Sequence, residues 1–287
     1  MTETGKLNRL ASGYGLLEGA RWYPDRGLVF SDMTNGGVYQ LEQPGAGPPE
    51  VVIPHRKAIG GLVAHADGGL VVSGRNVSVK ADDGAATVLL EAAPDEQFFN
   101  DISADGRGRL FAGSMPRRAA GATAGRLYLI DLDGAVTAIA DDVLISNGIG
   151  ADPADRRLYH VDSERRTVWQ FELDAPDIGQ SRTAFVSTAE YDALPDGLAV
   201  AADGSVWVAL AGAGLVVGWD AGGARVAEIA VPHALVTSVC FGGPALGTLY
   251  ILTGTDAEHP NPDGGSIFAL DAPVAGLPAP VARVRPE

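Results

Sequence analysis

Apolar and polar positions along the chain repeat one short pattern six times: an alternating apolar run, a tight turn and a second apolar run. The six copies are residues 19–31 (GARWYPDRGLVFS), 61–73 (GLVAHADGGLVVS), 101–113 (DISADGRGRLFAG), 148–161 (GIGADPADRRLYHV), 197–209 (GLAVAADGSVWVA) and 239–251 (VCFGGPALGTLYI). The first, second, third and fifth turn on Asp and Gly, the fourth on Asp-Pro-Ala-Asp and the last on Gly-Pro. Their starts lie roughly 40 to 50 residues apart, the spacing of four-stranded propeller blades. A third strand is predicted after each copy, at 37–41, 77–80, 126–130, 167–171, 215–219 and 266–270. A fourth is predicted at 50–53, 87–90, 136–140, 183–186, 225–229 and 281–284. No segment longer than a turn or two holds a 3.6-residue period.

The pattern therefore predicts an all-β fold, a six-bladed β-propeller of four-stranded antiparallel blades around a central metal-containing channel, built as one domain over residues 1–287. Closure is expected because an open stack leaves an edge strand exposed. Two segments compete for the outer strand of the last blade, the N-terminal 7–12 and the C-terminal 281–284, and the pattern does not choose between them. The stretches richest in Pro and Gly, 44–49 and 257–263, are short enough for hairpin loops, so no interdomain linker is expected.

Composition narrows the partners. The 38 glycines and 18 prolines suit many tight turns. A net charge of −15 argues against nucleic acid or an anionic membrane as partner. The lone Cys240, in an apolar run, excludes an internal disulfide and is expected to be a buried thiol. Residues 1–10 show no basic segment followed by an apolar run, and no stretch approaches the length of a membrane span, so a soluble cytoplasmic protein is expected. A closed ring needs no partner chain: a monomer is expected, with a homodimer left open.

The residue just before each innermost strand is Glu18, Gly60, Asn100, Asn147, Asp196 and Ser238 in turn. Inner strands line the axis, so these residues should meet at one mouth. Five carry side-chain oxygens, and the set holds neither His nor Cys. Oxygen-only donors suit Ca²⁺, or Mg²⁺ or Mn²⁺ in a small cage, better than Zn²⁺. Any one of these residues alone would be read as a turn former. Their shared phase, with two carboxylates beside a channel, points to one divalent metal ion.

Several pieces carry a resemblance: Leu17-Glu18-Gly19-Ala20-Arg21-Trp22, Phe99-Asn100-Asp101, Ser146-Asn147-Gly148-Ile149, Leu194-Pro195-Asp196-Gly197 and Val236-Thr237-Ser238-Val239. In that order they resemble the family of senescence marker protein, gluconolactonase and luciferin-regenerating enzyme. The resemblance implies a six-bladed propeller with a divalent metal, often calcium, at the channel mouth. The implied ligands are Glu18, Asn147 and Asp196, with Asp196 also the proposed general base and Asn100 a substrate contact. Many members hydrolyse sugar-acid lactones. Many of those place an Arg two residues before the Asn, where this chain has Phe98, and the acidic residue that vertebrate members carry after Gly-Thr-Met has no counterpart after Met115. Replacing a guanidinium by an apolar ring predicts a less polar lactone or ester as substrate, contacted by Asn100, Phe98, Met115 and His233.

Other classes stay open at this point: a sugar lactonase, a binding propeller with a structural calcium, or another metal-assisted reaction such as phosphotriester hydrolysis. His65, His160 and the four tryptophans are expected to be structural, and Asp101 should face away from Asn100 if the strand is regular.

Overall fold

The structure, a computed structural model, describes residues 6–42 and 47–285. Six antiparallel sheets form the blades. Blade 1 is Leu17–Tyr23, Gly27–Asp32, Val38–Leu41 and Glu50–Ile53, and blade 2 is Leu62–His65, Leu70–Val72, Asn76–Lys80 and Ala86–Glu91. Blade 3 is Glu96–Ala104, Leu110–Pro116, Gly125–Ile130 and Val136–Val143, and blade 4 is Ser146–Ala151, Arg157–Asp162, Thr167–Glu172 and Thr183–Ser187. Blade 5 is Leu194–Val200, Val206–Ala211, Leu215–Trp219 and Arg225–Ala230. Blade 6 takes Val236–Gly242, Thr248–Thr253 and Gly265–Asp271 from the end of the chain and Asn8–Tyr14 from its start. The described helices are three short 3-10 turns, none long and apolar enough to cross a membrane.

The first strands of the six blades touch one another in sequence and close a ring, blade 6 returning to blade 1. Apolar side chains between neighbouring blades form six buried clusters, one at each blade interface. The tryptophans serve these interfaces as expected. Trp22 stacks on Tyr250 across the closing interface at 5.5 Å, and Trp207 meets Phe241 edge-on at 6.1 Å. The tight Asp-Gly turns are fixed by backbone contact: Gly27 has φ 76°, and a Cβ there would lie 2.3 Å from the Leu41 carbonyl.

The competition for the last blade is resolved in favour of the N-terminus, because Asn8–Tyr14 pairs with Gly265–Asp271. The expected outer strand at 281–284 is a correction. Val281–Ala282 instead runs parallel to Leu62–His65 and makes blade 2 five-stranded. Once the outer place is filled, the tail crosses the lower face, where Tyr23 donates to the Pro280 carbonyl and Ala66 to that of Ala282. His65 is tied to the same tail through the Val284 carbonyl at 3.0 Å. Of the expected loop at 44–49, residues 44–46 lie outside the described residues.

Deleting residues 1–14 should leave the Gly265–Asp271 edge unpaired. We expect a lower thermal midpoint by calorimetry and concentration-dependent association by light scattering. An unchanged midpoint in a monomeric truncated protein would contradict the closure.

Candidate functional site

The site residues do not precede the inner strands but sit within them, at β-bulges. Pairing of the first and second strands slips between Glu18 and Arg21, Phe99 and Ile102, Ser146 and Ile149, Pro195 and Leu198, and Val236 and Ser238. A bulge leaves an extra residue unpaired and re-aims its side chain. Asn100, Asn147 and Asp196 fall in these slips, and Glu18, paired with Ser31, borders its own. In blade 6 the slip falls on Thr237, one residue before the expected Ser238. Thr237 donates to the Leu17 carbonyl, and the Ser238 hydroxyl accepts the Ala20 N–H at 3.3 Å. Both hydroxyls therefore bind blade 1 backbone.

Close packing of the bulges needs glycine beside them. A Cβ on Gly148 would lie 2.4 Å from the Leu198 nitrogen, and one on Gly197 would lie 2.8 Å from the Thr237 carbonyl. In blade 2 both Gly60 and Gly61 donate to the Ser73 hydroxyl, at 3.1 and 2.9 Å. The space a Gly60 side chain would fill holds Asn100, whose Oδ1 is 2.2 Å from that Cβ position.

A hydrogen-bond chain crosses from blade 3 to blade 5. Asn100 Nδ2 donates to the Ser146 carbonyl at 2.8 Å and to Asn147 Oδ1 at 2.6 Å. Asn147 Nδ2 donates to Ser163 Oγ at 2.9 Å, and Ser163 donates to the Pro195 carbonyl at 2.6 Å. This sets Asn147 beside Asp196. Burial pushes the Glu18 carboxyl far above its ordinary range, and the nearby charges of Asp196 and Asp101 add to the shift. Asp196 is pushed up likewise, by burial first and then by Asp101. Its Oδ1 is buried without a hydrogen-bond partner.

Two buried carboxylates close enough for the charge of one to act on the other, one with an orphaned oxygen, need a cation or protons. The donors, two carboxylates and an amide, fit a hard divalent ion, provided Asn147 turns its oxygen away from Asn100. Among the described residues no group of three or more His, Cys, Asp or Glu is placed to hold a metal. The candidate set thus depends on Asn147 for its third donor.

Asp101 departs from the regular-strand expectation because the bulge spans it. Its Oδ1 accepts the Ile102 N–H at 2.8 Å and lies 3.6 Å from the Arg21 guanidinium, both side chains being buried. Burial raises its carboxyl, and Arg21 opposes that rise. Arg21 was not singled out by sequence reasoning, although a guanidinium inside the apolar run GARWY was the available signal.

Phe98 and Met115 are cross-strand partners in blade 3 and half-buried, next along the strand to Asn100. Phe99, between them in sequence, turns into the core against Tyr128. The wall is anchored by the fully buried Glu96, which accepts from Ser114, Tyr128 and Arg126 at 2.6, 2.8 and 3.0 Å. His233 is not brought to the bulges. Its Nδ1 lies 3.0 Å from Thr253 Oγ1 and 2.8 Å from Asn261 Nδ2, beside a cavity lined by Leu7, Arg9 and Phe268. Burial lowers its pKa, so the ring is neutral at neutral pH. His160, bonded to Ser146 Oγ at 2.9 Å, is pushed down to about 3 by burial and is a packed histidine. Cys240 is buried, its thiol pushed up to about 12.

A cavity of about 410 Å³ lies farther along the inner strands, lined by Arg21, Ile149, Leu198, Phe241 and the tail residues 277–280. None of Glu18, Asn100, Asn147 or Asp196 lines it.

The chain is 34% identical over 275 residues to the pentonolactonase XacC of Haloferax volcanii, covering 91% of this chain and 92% of that protein. The luciferin-regenerating enzyme superposes with a TM-score of 0.86 at 21% identity, over 98% of this chain and 100% of that one. A calcium-binding protein, regucalcin, from Agrobacterium tumefaciens superposes with a TM-score of 0.85 at 24% identity, over 98% of both chains. These two likenesses show the fold. The family described as the SMP-30/Gluconolactonase/LRE-like region matches residues 16–255, and the chain belongs to that family.

Proposed function

We propose that the chain is a metal-dependent hydrolase that opens a lactone, with Glu18, Asn147 and Asp196 as metal ligands and Asp196 also as proton acceptor. The observation that carries this reading is the buried Asp196 carboxylate, one oxygen unpartnered, whose charge acts on the buried Glu18. A divalent ion held there, Ca²⁺ first by donor type and Mg²⁺, Mn²⁺ or Zn²⁺ as alternatives, would supply Lewis-acid polarisation of the ester carbonyl.

Asp196 takes one proton from the attacking water. The water oxygen bonds to the carbonyl carbon, the ring C–O bond breaks, and the ring oxygen leaves as a hydroxyl once protonated, giving the hydroxy acid. In the metal-free protein, burial and then the Asp101 charge raise the Asp196 carboxyl. Asn100, fixed by its bonds to Ser146 and Asn147, would contact the substrate together with the wall of Phe98 and Met115, which pair across blade 3 two residues earlier along the strand.

That wall favours a lactone less polar than a sugar-acid lactone. The likeness to a pentonolactonase supports the second reading, a sugar-acid lactone. A pH-stat screen of sugar, aliphatic and aromatic lactones separates them, with Ca²⁺, Mn²⁺, Mg²⁺ or Zn²⁺ returned after chelation. Activity should return with a divalent ion and be highest on an apolar lactone. Greater activity on gluconolactone than on every apolar lactone would overturn the Phe98 reading. Metal-dependent stability without hydrolysis of any ester would favour a structural ion.

Asp196→Ala should lower kcat/KM by about 10²–10⁴-fold, with the circular dichroism of the parent retained. Phe98→Arg should raise the ratio of sugar-lactone to aliphatic-lactone kcat/KM by about tenfold, through restored donors. For the metal-free protein, Glu18 and Asp196 have folded pKa values above their unfolded ones. The folded state therefore holds extra protons above the unfolded carboxylate pKa of roughly 4, and stability present below it is lost as pH rises through the folded values. In chelator at pH 8, Asp196→Asn should raise the thermal midpoint by at least about 2 °C, and added Ca²⁺ should reverse the order by stabilising only the parent. Calorimetry reads both; a lower midpoint for the variant in chelator would contradict the repulsion.

A further inference from the structure

We propose that Arg21 is a positioning residue that holds Asp101 out of the ligand set and leaves the axial cluster with the charge of one divalent ion. The inference rests on the metal reading above and concerns a residue that reading does not use.

Arg21 is 7% exposed, in an inner strand whose other members are mostly small or apolar. Burying a guanidinium there is costly unless its donors are met. Two of its nitrogens are met by backbone of two blades: Nη1 donates to the Ala20 carbonyl at 2.9 Å and Nη2 to the Ile102 carbonyl at 2.9 Å. Nη2 also lies 3.6 Å from Asp101 Oδ1. A planar fork can span both blades and the carboxylate at once, which a lysine cannot. Arg21 also lines the cavity of about 410 Å³, which none of Glu18, Asp101 and Asp196 lines.

Asp101 stands near enough to Glu18 and Asp196 for its charge to act on both. Ionised, the three carboxylates total −3, and with the +1 of Arg21 the cluster totals −2. Asp101, held by Arg21 and the Ile102 N–H, is also the acid that would complete a third carboxylate ligand. Asp196 Oδ1 is buried without a hydrogen-bond partner.

The test is a charge cycle read by calorimetric Ca²⁺ titration and Tb³⁺ luminescence on chelator-stripped protein, with folding checked by circular dichroism. Parent, Asp101→Asn, Arg21→Gln and the double variant should carry −2, −1, −3 and −2. Asp101→Asn should weaken Ca²⁺ binding by about tenfold or more. Arg21→Gln should shift the Tb³⁺-to-Ca²⁺ affinity ratio upward by about tenfold, and the double variant should return it to within about threefold of the parent. An unchanged ratio in Arg21→Gln, or a double variant binding Ca²⁺ no better than Asp101→Asn, would overturn the proposal. Should Arg21→Gln not fold, unchanged Ca²⁺ affinity in Asp101→Asn alone overturns it. A parent that binds no divalent ion would instead overturn the metal reading, so the two failures are distinct.

Discussion

Six strands meeting around one axis must approach more closely than ordinary strands, and this crowding governs the site. Gly148 and Gly197 sit where a side chain would strike the next inner strand. Each neighbours a polar residue, Asn147 or Asp196, thrown out of register by a bulge. Small residues let the strands close, and bulges direct larger polar groups into what space remains. The carboxylates of Glu18 and Asp196 are thereby held where water cannot solvate them well. Six apolar interfaces, one per blade pair, maintain a geometry that electrostatics alone would open.

Repetition made most of this legible. Strand alternation and turn chemistry are local properties, so blade count and nearly every strand could be read from residue order. Register between strands is not local. The bulge at Asn100 and Asp101 depends on how Glu96–Ala104 pairs with Leu110–Pro116, and a regular strand would have sent Asp101 to the opposite face. For the same reason Ser238 was aligned one residue late: its place is decided by pairing with Thr248–Thr253. The tail posed a different problem. Val281–Ala282 has an acceptable strand pattern, but only occupation of the outer place by Asn8–Tyr14 sends it to blade 2. His233 precedes an inner strand, yet its bonds to Thr253 and Asn261 hold it toward the blade rather than the axis.

The wall beside Asn100 shows how chemistry can change without disturbing the propeller. Along Glu96–Ala104, Phe99 belongs to the core between blades 2 and 3, whereas Phe98 meets Met115 on the half-buried side. Glu96 anchors the start of the strand through three side-chain donors, and Arg126 also binds Asp95. The anchor lies outside the metal-donor set. Position 98 is half-buried and belongs to none of the blade-interface clusters, so under the proposed function it can vary while those interfaces keep their places.

The surroundings of Arg21 are chemically unlike: its guanidinium lies 3.6 Å from the Asp101 carboxylate, and the residue also lines the cavity. The acids include an unpartnered oxygen, whereas the cavity is lined by Ile149, Leu198, Phe241 and the tail. A lysine would have offered one nitrogen, whereas the guanidinium reaches the carbonyls of Ala20 and Ile102 from two separate nitrogens while lying beside Asp101. The guanidinium joins blade 1 to blade 3 as it offsets one acid. Fold closure and site electrostatics thus share one side chain, which gives a buried cation in an apolar strand its physical reason.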